Sequence, residues 1–518
     1  MNNRMGIISV ATAVLAFLVF PPADAQAVEK IYLTGQDLMA WQGSFEWAMA
    51  GDAFLPPNND RMLSIKPGAG VIVSGQRPGG PPLVSKERFA DIRLHIEFLV
   101  PKGSDSGILF QGRYELHISD GLGQDKAAYP GAESGGISQR WDENRTPKGY
   151  EGYSPRVNAS RTAGQWQAFD VIFRAPRFDA EAKKVSNARF VKVVHNGTVI
   201  HENVDVSGPT REAVYPGEAA IGPLMLRGDR GQVAFRNIWV VPIDIKKMGL
   251  VNPFFAMDTG TIDEKHRTAK EQVEMLKELD YAGIGYWERN PSLGPKGLSE
   301  TIIQCDRWGL KPYPVYFTIK LEDPNDRSLP LVAQSIKLLA GRQMIIWLAI
   351  TSDVYPKSSA AGDDKAVEVV GRIADEAQKS AVKVALYPHV SFWLEKVDDA
   401  VRIAERVNRR NVGVTFNLYH WLKTDKPENM EATLKMALPF LLVATINGSS
   451  GEGSIETLDK GAFDVYKLLK TLKSLGFTGP IGLQGYGIGG DVYDNLKRSM
   501  NAWKQFCERM AIEEVENL

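Results

Sequence analysis

Two cysteines in 518 residues, Cys305 and Cys507, exclude a disulfide framework. At most one bond can form, and their separation in sequence leaves that pairing open. An excess of charge of one sign is also missing: 61 Lys and Arg face 62 Asp and Glu, a net charge of −1. Such a balance gives no electrostatic footprint for a phosphate backbone or an anionic membrane surface, so nucleic acid is not expected as a partner. No phosphate-cradling loop is present. The nearest candidate, GYGIGGD over 485–491, lacks the Lys-Ser/Thr of a P-loop and the Rossmann spacing, and reads as a flexible strand-to-helix loop. Long polar tracts are absent, and 44% hydrophobic with 24% charged residues describes an ordinary globular chain.

One long apolar run stands out, Met5 to Phe20, preceded by Arg4 and followed by small residues ending in Ala25-Gln26-Ala27. This is the pattern of a secretory signal peptide over 1–27, cleaved after Ala27. A membrane anchor is the rival reading, but the run is short for a bilayer span of about 20 residues, and no Cys follows it for lipidation. The expectation is an exported protein, periplasmic or secreted, that is not an integral membrane protein once the signal is removed. Oligomeric state is not legible.

What remains exceeds the usual size of one hydrophobic core, and its grammar changes midway. From 30 to 243, short alternating runs such as RLHIEFLV (93–100), RYELHIS (113–119) and WQAFDVIFRA (166–175) are separated by Gly, Pro, Asn and Asp. Asn196-Gly197 between two β-rich runs is a hairpin signal. The pattern predicts an all-β sandwich, jelly-roll-like. After a short connection over 244–253, residues 254–518 alternate strand and helix. Eight strand candidates begin at 254, 283, 311, 343, 382, 412, 441 and 480, with helical patterns such as 268–282 and 462–476 between them. That repeat predicts a (β/α)8 TIM barrel, with a doubly wound open sheet as runner-up. The fold class is therefore multidomain, a β-sandwich followed by an α/β barrel, with a connection short enough for the two to dock.

In a barrel, chemistry gathers at the C-terminal ends of the strands. There the sequence offers Asp258, Glu288, Lys320, Asp353, Tyr387, His389, Asn417, His420, Asn447 and Gln484. The segments ALYPHVSFW, TFNLYHWLK, TINGSS and IGLQGYG resemble the sugar phosphate isomerase/epimerase superfamily, the xylose-isomerase-like barrels. Members hold a divalent metal with Glu, Asp, His and Glu on four successive strand ends. By strand order those positions fall on Tyr387, Asn417, Asn447 and Gln484. A phenol and three amides remove the negative charge that such a cation needs, so the usual barrel metal is expected to be absent. His389 and His420, with Glu288 or Asp353, form a weaker alternative site. The reading is a sugar-binding pocket: Tyr387, His389, Asn417, His420, Asn447 and Gln484 contact a polyol, with Trp393 and Trp421 in the lining.

In the sandwich, SDSGILFQGRYELHISD (104–120) puts Arg113, Glu115, His117 and Ser119 on one face by period two. A solvated face with a cross-strand ion pair would give the same pattern. That segment, with GGISQRW (135–141), AGQWQAFDVIF (163–173) and VAFRNIWVVPI (233–243), resembles the 3-keto-disaccharide hydrolase domain family over about 45–243. The resemblance implies a concanavalin-like sandwich and cleavage of glycosides oxidised to a ketone at carbon 3. Such a ketone acidifies the C2 hydrogen, so one base can form an enolate that expels the group at C1. His117 or Glu115 is the candidate base. Arg113 or a divalent cation is the candidate electrophile, with Glu97 and Asp120 to hold that cation. Asp120, Gln139 and Trp141 are the candidate substrate contacts, while Trp141 and Trp166 offer stacking faces or, as the favoured role, pack the sandwich. The chain departs from the family at His117, where many members carry Gln, and at Arg230, where GDRG replaces GDHG.

These readings combine into an exported carbohydrate-active hydrolase or lyase that cleaves 3-keto-glycosides on its sandwich and binds sugar in its barrel. Two alternatives stay open. The sandwich is a carbohydrate-binding module beside an isomerase or epimerase barrel, or both halves only bind glycans.

Overall fold

The computed structural model describes residues 29–516 except 76–79, 122–128, 180, 245–246, 289–296, 343 and 451–452. The signal-peptide reading of 1–27 lies outside the described residues.

The first half is two antiparallel sheets facing each other. One has eight strands, including Ile92–Leu99, Gln167–Arg174, Ala188–His195 and Ala234–Pro242. The other has five, including Asp105–Phe110, Tyr114–Ser119 and Gly222–Leu226. Alternation decides which side chains are enclosed. Leu94, Ile96 and Phe98 from the large sheet meet Ile108, Phe110, Leu116 and Ile118 from the small one in a single core. The hairpin expected at Asn196-Gly197 forms, with φ of 50° and 83° at these residues.

The second half is a closed barrel of eight parallel strands, and all eight predicted strands are present. Seven of them stop earlier at the C-terminal end than the apolar text suggests, because the last residues turn into the loops, while Ile345–Thr351 ends where the text does. Val412–Asn417, for example, ends where Asn417 becomes the N-cap of a helix. Between the strands, Thr268 and Glu271 close a capping box that starts Ala269–Glu278. Cys305 and Cys507 are both free and buried, where they pack into the barrel's main core.

The two halves dock through the terminal helix Val492–Glu516. Ala511 and Val515 pack with Ile172, Ile243 and Met248 in a small apolar cluster. Around it, Arg93 donates to the Val515 carbonyl at 2.7 Å, Glu508 sits 3.3 Å from Arg174, and Lys192 reaches Glu516 at 3.1 Å. These sandwich residues lie on the outer face of the large sheet. The outer face of the small sheet therefore points away from the barrel.

Candidate active site and sugar cavity

Three neighbouring strands build a polar patch on the outer face of the small sheet. Gly107 pairs with His117 and Leu109 with Glu115, while Met225 pairs with Leu109 from the other side. Two residues further on, the Arg227 amide donates to the Gly107 carbonyl at 2.9 Å. Arg227, Gly107 and His117 thus form one row, with Met225, Leu109 and Glu115 in the next. Gly107 is required here: a β-carbon on it would lie 2.2 Å from Glu115 Oε1.

Arg227 Nη1 bonds Glu115 Oε1 at 2.6 Å, and Arg227 also meets Asp229 at 3.1 Å and Asp105 at 3.6 Å. Glu115 and Arg227 are buried, at 1% and 4% exposure. Burial alone would lower the arginine pKa, but Glu115, Asp229 and Asp105 outweigh it and hold the guanidinium firmly charged.

His117 lies beside this pair. Its Nε2 is 3.3 Å from Asp105 Oδ1, and its Nδ1 is 3.3 Å from the Glu133 carbonyl. Burial pulls the imidazolium down, yet the adjacent Asp105 carboxylate, the charge of Glu115 and the Glu133 carbonyl together raise its pKa above the ordinary value. Asp105 is correspondingly held low against its own desolvation, first by His117 and then by Arg227 and Arg230. Arg230 is half exposed at the rim, 3.8 Å from Asp105 Oδ2 and 3.0 Å from Glu212.

This arrangement revises several assignments. Arg113 precedes its strand and does not join the cluster: its guanidinium donates to the Gly217 and Gln111 carbonyls, each at 2.8 Å. Arg227 stands beside Glu115 instead. Glu97 lies on the outer face of the opposite sheet, bonded to Arg236 at 2.7 Å and Asn237 at 3.1 Å. Asp120 caps the Gly103 amide at 2.8 Å. The two residues offered for a cation are therefore held apart, and guanidinium groups already neutralise Asp105, Glu115 and Asp229. This donor set does not fit a divalent ion. Among the described residues, no three His, Cys, Asp or Glu side chains converge as a metal site.

Gln139 and Trp141 extend from the strip that pairs with the His117 strand, where the Ser138 amide donates to the Glu115 carbonyl. Trp141 is partly exposed under the Arg211 guanidinium, 4.1 Å from its ring centroid. Trp166 packs beneath Arg236, at 4.0 Å.

The barrel places Tyr387, Asn417, Asn447 and Gln484 directly at the ends of four successive strands. They do not act alike. Asn417 Oδ1 accepts the His420 amide at 3.0 Å and its Nδ2 donates to the Tyr387 hydroxyl at 2.6 Å, so Asn417 positions Tyr387. Asn447 is fully buried and donates to the Gly448 carbonyl. Tyr387, His389, His420 and Gln484 do line a cavity of about 450 Å³, together with Trp287, Tyr316, Trp347, Phe392, Tyr419 and Tyr486. Trp393 and Trp421 do not line it; they are core residues bonded to Ser359 and Thr433.

The cavity's histidines are neutral. Burial, helped by His389, pushes His420 down to about 2, and burial also lowers His389. The two rings lie 4.0 Å apart. Asp353 is exposed and pairs with Lys320 at 2.5 Å. A phenol and three amides do not fit Mg²⁺ or Mn²⁺, and His389 and His420 are joined by no third His, Cys, Asp or Glu ligand among the described residues. A wider cavity, about 590 Å³, opens at the other end of the barrel beside Lys311, Tyr313 and Phe477, remote from these strand ends.

Residues 30–241 match the family model of the 3-keto-alpha-glucoside-1,2-lyase-like domain, and residues 273–505 match that of the xylose isomerase-like TIM barrel. The two matches fall on the sandwich and on the barrel, in that order along the chain. Among solved structures, a candidate glycosyl hydrolase from Parabacteroides distasonis is 25% identical with a TM-score of 0.31, over 41% of this chain and 83% of that one. The 3-keto-D-glucoside 4-epimerase YcjR from E. coli is 15% identical with a TM-score of 0.41, over 49% of this chain and 100% of that one. D-allulose 3-epimerase from Methylomonas sp., in complex with D-allulose, is 14% identical with a TM-score of 0.42, over 50% and 97%. No curated protein matches the chain.

The cavity's aromatic walls escaped the sequence reading because Trp287, Tyr316 and Trp347 sit within or at the ends of strands, where apolar text looks like core. Period two along each strand carries the signal, since alternate residues of a barrel strand point inward. Arg227 escaped because the pairing partner of Glu115 lies 112 residues away, on a strand whose register no local pattern sets.

Proposed function

We propose that the sandwich cleaves 3-keto-glycosides by elimination across C1 and C2, with His117 as general base, and that the barrel is its sugar-binding companion. The observation that carries this reading is the Asp105–His117 pair on an outward sheet face beside the rim cation Arg230. A lyase-like family match over the same domain agrees with it.

Glu115 is a poor base, because it is buried and bonded to Arg227. With His117 Nδ1 donating to the Glu133 carbonyl, Nε2 carries the lone pair in the neutral ring. Nε2 takes the C2 proton, and Asp105 stabilises the imidazolium that forms. The C2–H electrons pass to the C3 oxygen as an enolate, then return to form the C1–C2 double bond as the C1–O bond breaks, and the aglycone leaves with the proton that His117 has taken. Arg230 faces the charge that develops on the C3 oxygen. Water then adds to the unsaturated ketone, returning hydroxyl to C1 and hydrogen to C2, so the net reaction is hydrolysis. We also propose that the chain is exported, with 1–27 as its signal peptide.

The test is aglycone release from a panel of 3-keto-glycosides, with the unoxidised glycosides as controls. Release from the keto forms alone, lowered about 100-fold or more in His117→Gln, supports the reading. No release by the folded parent, or undiminished release by the variant, overturns it.

A further inference from the structure

The walls of the 450 Å³ barrel cavity carry no carboxylate, ammonium or guanidinium among the described residues. Sites for sugar phosphates or uronic acids need cations to face the anion, and Mg²⁺ or Mn²⁺ sites need carboxylates. Neither is present. Instead, flat aromatic faces dominate, with polar atoms that the protein leaves unanswered. Trp347 is fully buried, and its Nε1 has no partner among the described residues; buried His420 Nδ1 has none either. Unmatched buried polar atoms are costly unless a ligand or water meets them. Gln484 and Thr259 add an amide and a hydroxyl, whose mutual contact is long at 3.4 Å. Tyr486 stands 63% exposed at the mouth.

We infer that this cavity is a metal-independent receptor for a neutral hexose-sized sugar, held between aromatic faces and met by Trp347 Nε1, His420 and Gln484. Its size is in the range of small-ligand sites. Aromatic faces pack against the C–H faces of a pyranose, while the few polar groups fix its orientation. The inference rests on reading the barrel as sugar-directed and narrows it to uncharged sugars bound without a cation.

The test is calorimetric titration of the whole protein with D-glucose, 3-keto-D-glucose, glucose 6-phosphate and glucuronate, each with and without EDTA. Expected is saturable binding of at least one neutral sugar, unchanged by EDTA, with the phosphate and the uronate weaker by about tenfold or more. Tyr486→Ala and Trp347→Phe, checked for fold by circular dichroism, should each weaken that binding about two- to tenfold. Loss of binding on EDTA, tighter binding of a charged sugar, binding insensitive to both substitutions, or no neutral ligand for the folded parent overturns the inference. Aglycone release is measured on the same preparation. Binding without release would sink the cleavage reading and leave this one standing, and release without binding in the cavity would do the reverse.

Discussion

Arg227 Nη1 lies 2.6 Å from Glu115 Oε1, joining two nearly solvent-free charges, one on Tyr114–Ser119 and one just past Gly222–Leu226, strands that are not neighbours in the sheet. Removing one partner strands the other. Arg227→Met should destabilise the protein by about 3–5 kcal/mol, and adding Glu115→Gln should recover part of that loss. Denaturant unfolding followed by tryptophan fluorescence measures both. A cost under about 1 kcal/mol for the single variant would show that the pair is not the buried bond described.

Gly107→Ala should act on the same pair without altering either charge. The added methyl would sit 2.2 Å from Glu115 Oε1, so the carboxylate must shift away from Arg227. A loss of about 1–3 kcal/mol is expected in the same unfolding experiment. Gly107 has no positive φ, so backbone strain would not account for it.

The His117 pKa, raised above the ordinary 6.5, sets the pH dependence. A base must be neutral, so kcat/KM should rise with pH through that raised value and fall tenfold per unit below it. Asp105→Asn removes the carboxylate that favours the imidazolium, so this limb should move to lower pH. Stability has the opposite sign: the contribution from His117 is fully present below its unfolded pKa and is lost as pH rises through the folded one. A pH profile unmoved by Asp105→Asn would remove Asp105 from the account.

Val515 is fully buried where the terminal helix meets the sandwich. Val515→Asp buries a carboxylate in that cluster at a cost on the order of 2 kcal/mol or more. Calorimetry should then show the two halves melting in separate transitions. A single cooperative transition at the parent temperature would contradict the docking.

The division into sandwich and barrel was legible because each half keeps one period, two in the first and an alternating strand-helix repeat in the second. The face of Glu115 and His117 was legible for the same reason, since period two needs no partner to be read. Arg227 was not, because register across a sheet depends on pairing that a linear text does not show. Arg113 misled because it stands one residue before its strand begins, where the alternation no longer governs it. Asn417 looked like a ligand contact, yet its position at a strand-to-helix turn makes its oxygen a helix cap. His420 and Gln484, on the same end of the barrel, do reach the cavity. Asparagine at a strand end reads alike in both roles, and the helix that follows decides between them.

The most direct measurement is cleavage of a 3-keto-glucoside in D₂O, with the C2 position of the released 3-keto-glucose read by mass spectrometry and NMR against an enzyme-free control. Elimination by His117 followed by addition of water predicts deuterium at C2 in every product molecule, appearing no slower than the aglycone. Product that keeps protium at C2 would mean direct displacement at C1, and would contradict the central role given to His117.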